Sequence, residues 1–114
     1  MVTGKLTTVA VSIADLRDVV AVAVAKHPDQ RPRIERGAAI VLLRTIRPDP
    51  CFLACFEVES EREPGRFYGV DHGVGVCECR DHRERGIACK HLWALRLLGA
   101  LSRLHSPAAA CVAA

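Results

Sequence analysis

Residues Cys77 to His91 read CECRDHRERGIACKH. Thiolate sulfur and imidazole nitrogen are the donors that zinc prefers. Three cysteines with one histidine form one of the usual structural sets, closed at four ligands in a tetrahedron. Cys77, Cys79, Cys89 and His91 supply that count, as two pairs flanking Arg80 to Ala88. The spacing constrains the backbone. Residues two apart in a regular strand sit about 7 Å apart on one face, too far to share one small ion. Cys77-Glu78-Cys79 must therefore bend, and Gly73 and Gly75 just upstream help the chain into that bend. Residues two apart in a helix point to nearly opposite sides. Cys89 is therefore expected at or before the first turn of a helix and His91 within it. His82 is a rival ligand three residues after Cys79, and His72 is also near in sequence.

Other readings of the cysteines compete. Redox pairs usually read Cys-x-x-Cys, which is absent here. Buried cysteine also serves as a small hydrophobe. That explains Cys51 and Cys55, which would share a strand face in CFLACFEV, and Cys111 reads as a free thiol in the tail. It does not explain Cys77 and Cys79 beside Glu78, Arg80 and Asp81. His72, His82 and His105 are expected to be exposed, and His27 to close a helix.

The elements that must position the cluster follow from periodicity and punctuation. Residues 1–11 read as a leader. Ser12 to Lys26 reads as a helix, capped by Ser12, with Ile13, Leu16, Val20, Ala23 and Val24 on one side. HPDQRP is a loop. Arg33 to Thr45 reads as a second helix with Ile34, Ala38, Val41 and Leu42 as its stripe, weakened by Gly37. RPDP, 47–50, is expected to turn. Cys51 to Val58 and Phe67 to Asp71 read as two strands joined by the charged SEREPGR loop. Ala88 to Leu101 reads as a helix with Leu92, Leu95, Leu98 and Leu101 at its spacing. The tail, 105–114, lacks periodicity. The fold class expected is α+β: a small β-hairpin plus helix around the cluster in a core over 33–104, preceded by a helical extension over 1–32.

Composition sets outer limits. The chain has 114 residues, half of them hydrophobic, which suits one domain with its own core. Sixteen Lys and Arg against 13 Asp and Glu give a net charge of +3, which permits a nucleic-acid partner without requiring one. The apolar run Val19 to Ala25 is too short to span a membrane and follows Asp15 and Asp18, unlike a signal peptide. An intracellular chain is expected, where thiols stay reduced and six cysteines point to metal rather than disulfides.

Cys-x-Cys, a spacer, then Cys-x-His with CKHLWAL opening a helix resembles the SWIM zinc finger. FYGV running into the Cys-x-Cys extends the likeness, which covers about Arg33 to Leu101. The resemblance implies a ββα-type zinc finger over 33–104 with one structural Zn²⁺ on Cys77, Cys79, Cys89 and His91. It also implies a module that binds DNA, a protein or both, accessory to a larger DNA-processing or regulatory complex. Between Cys77 and Arg103 six basic residues stand against three acids. Arg80, Arg83, Arg85 and Lys90 are the candidate phosphate contacts. The alternative is an adaptor that docks through the N-terminal or the Leu-rich helix. An enzyme is not expected, since four protein ligands leave zinc no open position. Neither a membrane nor a small-molecule substrate is expected.

Overall fold

The computed structural model describes residues 11–52 and 54–105. The fold is mixed α+β, with four α-helices and a four-stranded antiparallel sheet among the described residues. Helix α1 spans Ile13–Lys26, and the Ser12 hydroxyl accepts the Asp15 N–H at 3.2 Å, the expected N-cap. His27 closes α1. A 3₁₀ turn, Pro28–Gln30, leads directly into α2, Arg31–Leu43. Pro32 suits that first turn because its missing N–H would have no intrahelical partner there.

The buried stripe of α2 is Ile34, Gly37, Ile40 and Val41, while Leu42 is 47% exposed, contrary to its place in the expected stripe. Gly37 is the crossing point with the last helix. A Cβ there would lie 2.9 Å from the backbone nitrogen of Ala94 and 3.0 Å from the carbonyl of Lys90. The residue that weakens α2 by propensity is the one that lets two helices approach.

RPDP does not simply turn. Ile46–Pro48 forms β1, paired with β2, Cys55–Glu59. β1 lies at the sheet edge, the one setting in which a strand tolerates proline. β3 is Phe67–Asp71 and β4 is Val76–Cys77, in the meander order β1-β2-β3-β4. The strand expected from Cys51 begins only at Cys55. Ala54 sits at φ 63°, in the left-handed region, which breaks the extended run. Cys51 is therefore exposed and Cys55 half-buried, so the two do not share a buried strand face.

The register puts Ile46, Val58, Val70 and Cys77 on the inner face, where all four are buried. On the outer face Arg47 bonds Glu57 at 2.7 Å and lies over the Phe67 ring. The segment read as a polar loop contains a short helix, α3, Arg80–Arg85, ended by Gly86 at φ 69°. Helix α4 runs Lys90–His105. Its Leu92, Leu95, Leu97 and Leu101 join Leu16 of α1, Ile40 and Val41 of α2 and the inner sheet face in one apolar cluster. Trp93 locks the N-terminal half to α4. Its indole N–H donates to the Gln30 side chain at 2.9 Å, and the His27 ring packs edge-on at 5.3 Å. The boundary expected after residue 32 falls within the first turn of α2.

No described helix is long and apolar enough to cross a membrane. The expected leader over residues 1–10, the tail after His105 with Cys111, and the His105 side chain lie outside the described residues.

Candidate metal centre

Each of the four candidate ligands is set by a different backbone device. Cys77 ends β4 on the inner face of the sheet. The reversal before it needs Gly75, which sits at φ 76° and donates to the Asp71 carbonyl at 2.9 Å. Gly73 does not share that conformation. The bend at Cys77-Glu78-Cys79 is fastened by Glu78. Its N–H donates to the Gly69 carbonyl at 3.1 Å, and its carboxylate accepts the Gly69 N–H at 2.7 Å. A Cβ at residue 69 would lie 2.9 Å from that carboxylate, so glycine leaves the space Glu78 fills. Cys79 is the N-cap of α3, its sulfur accepting the His82 N–H at 3.5 Å. The Cys89 carbonyl accepts the Trp93 N–H at 3.0 Å, which puts Cys89 just before α4 and His91 in its first turn, as expected.

The ligand atoms of Cys77, Cys79, Cys89 and His91 lie within 4.8 Å of one another, and all four residues are buried. The His91 Nδ1 stands 3.7 Å from the Cys77 sulfur and 3.8 Å from the Cys89 sulfur. Sulfur and nitrogen sharing one tetrahedral zinc would be about 3.6 Å apart, given the usual bond lengths. The cluster is thus close to the size the ion requires, and it could hold a metal ion. The donor set fits zinc: three sulfurs and an imidazole, with no carboxylate among them.

The electrostatics point the same way. The Cys79 thiol is pulled down by hydrogen bonds from Cys77 and Cys89. The Cys77 thiol is pushed up by its hydrogen bonds to Cys79 and Cys89, and burial adds to this. One sulfur carries charge most readily while its neighbour retains a proton. A cation would displace the remaining protons. Cys77 also accepts the Cys79 N–H at 3.4 Å.

The rival ligand does not reach the cluster. His82 is half-buried, and its Nδ1 lies 2.7 Å from the Ile87 carbonyl. The expectation that it is exposed in a loop fails because α3 and its bond to Ile87 hold it. His72 is exposed. The sequence reading missed the group behind His91: the Tyr68 ring packs 4.9 Å from the imidazole, centroid to centroid. The His91 Nε2 is buried with no hydrogen-bond partner among the described residues. Alternation along FYGVD put Tyr68 on the Val70 face, which was the available signal.

The four candidate phosphate contacts are mostly occupied by their own acids. Arg80 pairs with Glu84 at 2.8 Å, Arg85 with Asp81 at 2.9 Å, and Lys90 with Glu61 at 2.7 Å. Arg83 is exposed. Asp81 also receives a two-pronged bond from Arg33, at 2.8 and 2.9 Å. That guanidinium holds its carboxyl below the usual carboxylate range. Exposed pairs contribute only about 0–1 kcal/mol, so such cations stay available to a stronger anion.

The fold and the cluster together define a small α+β module with a buried Cys₃His set able to hold a metal ion. No family model, curated protein or solved structure matches the chain.

Proposed function

We propose that the chain is a SWIM-like structural zinc module that binds nucleic acid as an accessory to a larger DNA-processing or regulatory assembly. The observation that carries the zinc reading is the convergence of four buried donors from both halves of the motif within 4.8 Å. When bound, zinc supplies a cross-link among β4, the start of α3 and the start of α4. The chain's own residues do the rest. Glu78 fixes the bend, Cys79 and Cys89 cap their helices, and Leu92 and Leu95 anchor His91 in the core. Four protein donors leave no open position, so this reading assigns the site no catalysis.

The nucleic-acid part is supported by the basic excess along the motif, six against three between Cys77 and Arg103. Elemental analysis of protein purified without added metal is expected to give about one zinc per chain; under a tenth in a folded protein would sink the zinc reading. Anisotropy of zinc-loaded protein with labelled single- and double-stranded DNA should show a steep loss of binding as salt rises.

The adaptor reading has one observation behind it. Helix α1 leaves Ile13 and Val22 exposed, at 62% and 55%. The leucines of α4 at 92, 95, 97 and 101 are core and offer no such surface. No DNA binding at low salt would leave the adaptor as the better reading.

A further inference from the structure

Two of the four cations singled out in the motif do not act from the loop alone. Arg85 and Lys90 line a cleft with Pro32, Arg33, Arg36 and Asp81, between the first half of α2, the helix α3 as far as its last residue, and the start of α4. Arg80 and Arg83 are not part of its lining. The cleft has a volume of ≈ 330 Å³, roughly the share of ten waters in the liquid. Its lining carries four cations against one acid. That acid, Asp81, is already engaged by Arg33 and Arg85, and Lys90 pairs with Glu61 from outside the lining. Arg36 is exposed and has no ion-pair partner among the described residues. Helices α2 and α4 both begin at this cleft, so their positive ends add to the same field.

The lining also says what does not bind. Pro32 is its only apolar residue and no aromatic ring faces it. Small-molecule sites are mostly apolar, and bases need a ring or an edge to read. What remains is a compact anion on a larger body.

We propose that this cleft seats a backbone phosphate of a bound nucleic acid, contacted by Arg36, Arg85 and Lys90. Arg33 is a positioning residue. Its two-pronged bond to Asp81 ties α2 to α3 and keeps the cationic walls facing each other. The site thus joins residues 48 positions apart, and half of it belongs to the metal-organised segment, because Lys90 stands between Cys89 and His91. This proposal rests on the nucleic-acid reading above.

The test compares zinc-loaded wild type with Arg36→Gln, Arg85→Gln, the double variant, and Arg17→Gln on the exposed side of α1, outside the cleft and the motif. Zinc content and thermal midpoint are measured for each, and binding to a labelled duplex is followed across a salt series. Each cleft variant should keep its zinc and bind several-fold more weakly, and the double variant should lower the slope of log K against log salt by about 0.9, the share of the one phosphate seated there. Arg17→Gln should bind as wild type does. Cleft variants that bind like wild type would overturn the cleft and leave the nucleic-acid reading standing. Wild type that fails to bind the duplex would overturn both. Wild type that binds inorganic pyrophosphate but no duplex would overturn the proposal as well, assigning the cleft to a free phosphate.

Discussion

His91 carries the sharpest consequence of the site. Its Nδ1 faces the sulfurs while its Nε2 is buried without a partner among the described residues, so a metal-bound imidazole here must carry its proton on Nε2. His91→Ala removes a ligand and leaves a hole beside Tyr68. His82→Ala removes only a bond to the Ile87 carbonyl. The expected outcome is well under half an equivalent of zinc in the first variant and about one in the second, by elemental analysis. Equal loss in both would reverse the ligand assignment. The same argument explains why the four candidate ligands were legible in the sequence and Glu78 was not. Cysteine and histidine announce themselves by type. A glutamate that fastens a bend to a glycine nine positions away looks like any surface acid until the strands are paired.

At the scale of elements, Gly37 and Glu59 make opposite kinds of prediction. Gly37→Ala gains helix propensity, yet its methyl meets backbone atoms of α4 that cannot swing aside. The variant should lose about 1–3 kcal/mol, read from the denaturant midpoint. A gain in stability would show that α2 and α4 can separate at no cost. The Glu59 carboxylate accepts the Thr45 N–H at 3.0 Å and the Gly65 N–H at 3.1 Å, joining the start of β1 to the hairpin loop. Its pKa is lowered, chiefly by the bond from Thr45 and then that from Gly65. A depressed carboxylate contributes stability that is present above its unfolded pKa, near 4.3, and lost as pH falls through the folded value. Glu59→Gln should therefore flatten the loss of stability below about pH 4.3 relative to wild type; identical acid slopes would show that the bond contributes nothing. Elements with an apolar period, α1, α2 and α4, could be read from the sequence because burial repeats along them. α3 could not, since all six of its residues are polar and its signals, a cysteine cap and Gly86, look like metal ligand and loop. β1 was hidden by Pro48, which signals a turn unless the strand is known to lie at an edge.

Over the whole molecule, the sequence suggests a finger over 33–104 with a helical extension before it, yet Cys77, Cys79 and Cys89 share one buried cluster with Leu16 of that extension, Ile40 and Leu97. Losing zinc should then loosen more than the motif. On adding a chelator, backbone amides of α2 between Ile34 and Val41 should lose hydrogen-exchange protection together with those of α4 between Leu92 and Leu101. Protection retained in α2 while residues 77–91 exchange freely would divide the chain into two units after all. The pairing of Gln30 with Trp93, 63 positions on, sets a clock on the chain during its synthesis. Ile34, Ile40 and Val41 are made early, and the leucines that cover them follow about 50 residues later, which at 5–20 residues per second is a wait of about 3–10 s. For that interval the nascent helical hairpin shows the ribosome surface and its chaperones an uncovered apolar face. The meander made in between, whose strands pair with their immediate neighbours, can fold without waiting.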